Sequence, residues 1–158
     1  GDHAEFLKYI WEEKDHDWNG IVYEAKLIWH YDHRYATFEG VSQNEIIAGQ
    51  AKVIEEKDKN NFNLSITPRY YIPTQLKNSL FSKYSDYKRN WLLVWRDVTG
   101  SANERTCVAT IIPKIAASRS LPVLGFDFKN NPSVLIANLN SLVLDYIVRQ
   151  KIGGNHLT

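Results

Sequence analysis

Arginine and lysine recur in three stretches of this sequence, interleaved with tyrosine, histidine or asparagine, and that mixture is the chemistry of a surface that holds phosphates and reads bases. The first stretch is "KLIWHYDHRY" (26–35). The second is "TPRYYIP" with "KYSDYKRNW" (67–73 and 83–91), and the third is "RDVTGSANERT" (96–106) continued by "PKIAASRS" (113–120). Lys and Arg neutralise phosphate, Arg grips guanine edges through two bonds, Asn and Gln read adenine edges, and Tyr or His stacks on bases or bonds to phosphate. The residues expected to touch DNA are Lys26, His33, Arg34, Arg69, Lys88, Arg89, Asn103, Arg105, Lys114 and Arg119. Arg96 is set apart as structural because Asp97 follows it. The same side chains also have a plain structural use. Tyr70, Tyr71 and Trp91 suit core or edge packing, Arg105 can pair with Glu104, and Arg149 and Lys151 can complement a helix C-terminus.

Charge is unevenly placed in support of this surface. The net charge is +1, yet residues 1–60 carry 7 Lys/Arg against 13 Asp/Glu, while residues 61–158 carry 12 against 5. A basic half on a near-neutral whole is what a polyanion-binding face produces.

Other chemistries lack their parts. The one cysteine, Cys107, excludes a disulfide framework, and its β-branched, small-residue surroundings suit a buried core thiol better than a nucleophile. His30 and His33 in "HYDH" would point to opposite faces of a strand, so no metal site is expected there. Glu55-Glu56 lies in a solvated charge run, and no glycine loop opens a helix. No catalytic constellation is expected, and a stand-alone hydrolase is disfavoured.

The elements that must carry these residues make one α+β domain, with a mixed or antiparallel sheet packed on a long C-terminal helix. Residues 1–20 are expected to be an extension from a preceding domain, and 21–158 the domain itself. Strands are expected over 21–32, 62–73, 90–98, 104–113 and 121–128. "NWLLVWRDV" (90–98), almost wholly apolar, has the pattern of a strand buried on both faces. Residues 45–61 suit a short helix or an insert, and 74–87 a helix begun by Thr74. The clearest helix spans 132–151, opened by Asn131-Pro132 and closed before Gly153-Gly154. The absence of methionine suggests a piece of a longer protein. No apolar run of membrane length and no signal peptide is present, so a cytoplasmic, membrane-free location is expected.

The closing text "ANLNSLVLDYIVRQKIGGNHLT" (137–158) resembles the end of a target-recognition domain in restriction–modification proteins, where a Leu-Asn-Ser helix leads to a glycine and a His-Leu-Thr-like segment. Asn138, Leu139, Asn140, Ser141, Tyr146, Ile147, Gly153, His156, Leu157 and Thr158 match that pattern. "VYEAKLIWHYDHRYATFEG" (22–40) and "WRDVTGSANERTCVATIIPK" (95–114) are similar to stretches that follow the catalytic domain of large adenine-specific DNA methyltransferases, type IIG enzymes among them. The resemblance covers most of 20–158 and is least typical over 41–60. It implies a fragment that grips duplex DNA beside the target adenine. The Asn-Pro-Pro-Tyr motif and the S-adenosylmethionine pocket would lie in a separate domain: the one Asn-Pro pair here, Asn131-Pro132, is followed by Ser133. The fragment itself is then expected to hold no cofactor and to be non-catalytic. Its partners would be double-stranded DNA and the methyltransferase domain of the same parent chain. The alternative is a protein-interaction module that docks the methyltransferase or nuclease domain.

Overall fold

Trp91–Trp95 (β5) is the strand about which the molecule is organised. The computed structural model describes residues 20–61, 63–82, 86–124 and 131–157. β5 pairs antiparallel with Ala109–Pro113 (β6) on one side and with Val123–Leu124 (β8) on the other. Alternate side chains divide between two cores. Leu92 and Val94 join Ile112, Tyr23, Leu27, Ile28 and Phe38 on one face, whereas Leu93 joins Ala109 and Ile136 on the other, flanked by Trp91 and Trp95. Both faces of the sheet are therefore covered, which is why "WLLVW" contains no polar residue.

The remaining elements are short. Gly20–Tyr23 (β1) pairs antiparallel with Tyr71–Ile72 (β4) and parallel with Ala116–Ala117 (β7), and Ala36–Thr37 (β2) pairs with Lys52–Val53 (β3). The helices among the described residues are Gln43–Ala48 (α1), Glu56–Lys59 (α2), Thr74–Ser82 (α3), Pro132–Leu139 (α4) and Leu142–Lys151 (α5). The class is α+β, with a mixed sheet, antiparallel sheets and helix at the C-terminal end. Most of the expected N-terminal extension lies outside the described residues, as do 83–85 of the second cluster and 125–128 of the strand expected over 121–128.

The strands expected over 62–73 and 104–113 are confined to Tyr71–Ile72 and Ala109–Pro113, and the helix expected over 74–87 is described to Ser82. Two further expected elements are interrupted, each by a long-range contact. The strand expected over 21–32 stops at Tyr23. A 3-10 turn follows at Ala25–Leu27, because Arg96 draws in the carbonyls of Ala25 (3.2 Å) and Ile28 (2.7 Å). A tight turn then closes where Trp29 and Asp32 exchange backbone bonds, with Tyr31 at φ 59°. "HYDH" is thus a turn rather than a strand. The helix expected over 132–151 divides at Asn140-Ser141. Asn140 leaves the helix to bond the Ala109 peptide, and Ser141 starts α5 by accepting the Leu144 N–H at 3.1 Å. The start of α4 is as expected: Asn131 accepts the Ser133 N–H at 3.1 Å and Pro132 occupies the first turn.

Candidate nucleic-acid interface

An open groove of about 530 Å³ is lined by Tyr31, His33, Asn90, Trp91, Ile136 and the β6 residues Thr110–Pro113. Cations gather at its Asn90–Trp91 end. Arg89 lies over the Trp91 ring at 5.1 Å, and Lys88, exposed, precedes it in the chain. Lys114 donates its backbone N–H to Asn90 O and its Nζ to Tyr87 O, both at 2.9 Å, and its ammonium sits near the Tyr87 and Phe81 rings. Tyr87 in turn donates its hydroxyl to Trp91 O at 2.6 Å. Ring contacts and main-chain bonds therefore hold these positions, leaving an aromatic and cationic rim around an apolar floor.

His33 is half-buried, and burial pushes its imidazole below the ordinary range, with the neighbouring Arg34 adding to the effect. It meets a ligand at neutral pH as an uncharged donor and acceptor. His30 is lowered for the same first reason and donates Nε2–H to Cys107 O at 3.1 Å. Cys107 is a buried thiol raised by burial.

Of the ten residues singled out in the sequence, His33 lines this groove, Arg89 lies over its Trp91 ring, and Lys114 bonds its Asn90 through the main chain while its ammonium ends on the Tyr87 carbonyl. Lys88 is exposed before Arg89. Four others also end on internal carbonyls, and all four serve as caps at helix C-termini. Lys26 donates to Gly49 O, and Arg69 donates to Ile46 O (3.2 Å), both at the end of α1. Arg34 donates to Lys59 O (3.1 Å) and Asn61 O (3.3 Å) at the end of α2. Arg105 donates to Asn140 O (2.7 Å) at the end of α4. The negative end of a helix offers a cation the same partial charge and oxygen geometry as a weak anion. Arg69 is held further by Glu24, a buried carboxylate met at 2.7 to 3.1 Å through Nε and Nη2. Asn103, exposed, bonds Thr99 Oγ1 at 3.3 Å, and Arg119 is exposed after β7. Arg96 is structural as expected, through Ala25, Ile28 and the Trp29 ring rather than through Asp97.

Comparison with protein-family models, with curated proteins and with solved structures found no match to this chain. Of the residues that carry the resemblance, Thr158 lies outside the described residues, and the others have definite places in the fold. Asn140 and Ser141 join α4 to α5. His156 donates Nδ1–H to Asp97 at 2.7 Å, and Val98 bridges to His156. Leu157 donates its N–H to Asp97 O and accepts from Trp95 Nε1. The C-terminal segment is therefore strapped along the end of β5.

From the sequence, Asn140 and Ser141 stand out only through the resemblance, and Asp145 and Tyr31 do not stand out at all. An Asn-Ser pair such as 140–141 is itself a helix-cap signal. Nothing in "HYDH" announces that Tyr31 takes a left-handed conformation. Among the described residues no group of three His, Cys, Asp or Glu side chains is placed to hold a metal ion, and no helix is long and apolar enough to cross a membrane.

Proposed function

We propose that this chain is the DNA target-recognition part of an adenine-specific restriction–modification methyltransferase. It grips duplex DNA beside the modified base while a separate domain, holding S-adenosylmethionine, transfers the methyl group. The observation that carries the reading is the groove: Tyr31, His33, Asn90 and Trp91 line it, Arg89 lies over the Trp91 ring, and Lys114 is tied through its backbone to Asn90. This is the residue set expected for phosphate contact combined with base contact. The basic balance of residues 61–158 supports it, as does the structural use of the resemblance residues Asn140, Ser141 and His156. On this reading the protein works in the cytoplasm, where the DNA is.

The test is retardation of a duplex by the chain between about 50 and 200 mM salt, where phosphate-dominated binding weakens by orders of magnitude. Binding that falls steeply with salt, and that weakens when Arg89 and Lys114 are both replaced by Ala, is the expected result. No binding at the lowest salt, or binding indifferent to salt, overturns the proposal.

A second reading has its own observation. Leu142, Val143, Tyr146 and Ile147 on α5 are 73%, 72%, 66% and 44% exposed and form one apolar helical face. Such a face suits docking against the methyltransferase or nuclease domain of the parent. Co-elution with that domain, abolished by Tyr146→Asp, is the expected result. Failure of the two to associate removes this reading.

A further inference from the structure

Among the described residues β6 has a single strand neighbour, β5, and its other edge carries no strand. The bonds from Arg96 N–H to Val108 O and from Lys114 N–H to Asn90 O, both 2.9 Å, fix the alternation of the ladder. Val108, Thr110, Ile112 and Lys114 face β5, and Ala109, Ile111 and Pro113 turn their backbone groups to the other edge. Ala109 is already matched there. Its N–H and C=O are met by the Asn140 amide at 2.9 Å each, and its C=O also accepts from Tyr31 N–H at 3.3 Å. Pro113 has no N–H, and its C=O accepts from Ile115 N–H at 2.8 Å. Ile111 remains, with an N–H and a C=O that no hydrogen bond among the described residues engages.

An edge with one open residue is too short for an added peptide strand, which would find only one pair of main-chain bonds. It fits a flat ligand that carries one donor beside one acceptor, as the Asn140 amide does two residues earlier. Every nucleobase has such an edge. The groove beside Ile111 supplies aromatic surface from Tyr31 and Trp91, and the cations near Asn90 complement a phosphate. Tyr31 is 60% exposed and is held at φ 59°, a conformation that L side chains rarely adopt. The turn bonds of Trp29 and Asp32 and the contact with Ala109 keep it there.

We propose that this groove binds one unpaired nucleotide, its donor–acceptor edge on the Ile111 peptide, its face against Tyr31 and its phosphate toward Lys88, Arg89 and Lys114. The choice of a nucleobase over another amide-bearing ligand rests on the DNA reading above. The test is a titration of the full chain with deoxyadenosine monophosphate, followed by the amide resonance of Ile111 and the indole resonance of Trp91. Saturable shifts at both are expected. Tyr31→Gly should weaken binding on the order of tenfold, the loss typical of one stacked base. Its thermal midpoint should be unchanged or raised, because glycine relieves the left-handed backbone. The analogous purine nucleotide without the exocyclic amine should bind on the order of fivefold more weakly, through loss of one hydrogen bond. Absence of saturable shifts, or equal binding by Tyr31→Gly and the parent, overturns the site. Duplex retardation without nucleotide shifts removes this site alone. Nucleotide shifts without duplex retardation keep the site and remove the duplex reading.

Discussion

Asn140 and Ala109 exchange two hydrogen bonds, Nδ2–H to the Ala109 carbonyl and the Ala109 N–H to Oδ1, each 2.9 Å. A side-chain amide thus takes the place of a neighbouring strand at the edge of β6 and ties the helical end of the chain to the sheet. Replacing Asn140 by Leu leaves the buried Ala109 N–H unmatched and its C=O with only the 3.3 Å bond from Tyr31 N–H. The expected loss is about 2 kcal/mol, on the scale of one to three for a stranded group. Chemical denaturation checks it. Asn140→Asp should lose a similar amount, because a carboxylate would then face the Ala109 carbonyl. Stability equal to the parent in both variants would remove this role.

Asp145 holds the loop before β6. Its Oδ1 accepts the N–H groups of Thr106 and Cys107, each at 2.8 Å, and Arg105 and Arg149 approach its two oxygens at 3.4 Å. Burial raises the carboxyl, but those two N–H bonds and Arg105 together outweigh it and hold the group below the usual carboxylate range. A carboxyl depressed in the folded state stabilises the protein above its unfolded value of about 3.9 and loses that contribution as pH falls through the folded value. Asp145→Asn should therefore lower the thermal midpoint at pH 7, and the gap to the parent should narrow as pH drops below about 4. A gap independent of pH would show that the charge contributes nothing.

Arg69 and Arg89 should separate folding from binding. Arg69→Ala strands the buried Glu24 carboxylate and is expected to cost about 3 kcal/mol, the scale for breaking a buried ion pair. Arg89→Ala should cost much less, on the order of 1 kcal/mol, from its contact with the Trp91 ring. If Arg89 meets one phosphate, the slope of log affinity against log salt should fall by about 0.9. Denaturant midpoints and the salt series measure the two effects independently.

Gly49 ends α1 at φ 68°, and its N–H bonds back to Glu45 and Ile46. A Cβ there would strike the Lys26 ammonium and the Arg69 guanidinium. Gly49→Ala should cost at least about 1 to 2 kcal/mol from the backbone conformation alone. It should also displace both cations, seen as faster hydrogen exchange along α1. A neutral substitution would mean that the two cations yield freely.

His156 fastens the last described residues to Asp97, which is buried, with its other carboxylate oxygen unpartnered among the described residues. His156→Ala should cost about 1 kcal/mol, the net value of an ordinary hydrogen bond. It should also speed amide exchange at Thr99 and Leu157, whose N–H groups bond across the same strap. Exchange unchanged at both amides would show that the backbone bridge alone holds the segment.

Much of the scaffold is legible in the sequence. The apolar run Trp91–Trp95 announced a strand covered on both sides, Asn131-Pro132 announced a helix start, and Cys107 among small and β-branched residues announced a core thiol. Local rules of hydrophobic pattern and capping suffice for these. The pattern does not say where a strand stops. That is set by a partner far along the chain, as Arg96 does for Ala25 and Ile28.

By itself the sequence determined the α+β class, the cationic and aromatic character of the carboxyl-terminal part, and the helical end of the chain. Only the tertiary structure decided which cations remain near a groove and which cap helices. A guanidinium bonds any oxygen of suitable charge, and phosphate and a helix's last carbonyls both qualify. Arg69 reaches Glu24 across 45 residues and Arg105 reaches Asn140 across 35. Packing at that range chooses the oxygen, and no local spacing encodes it.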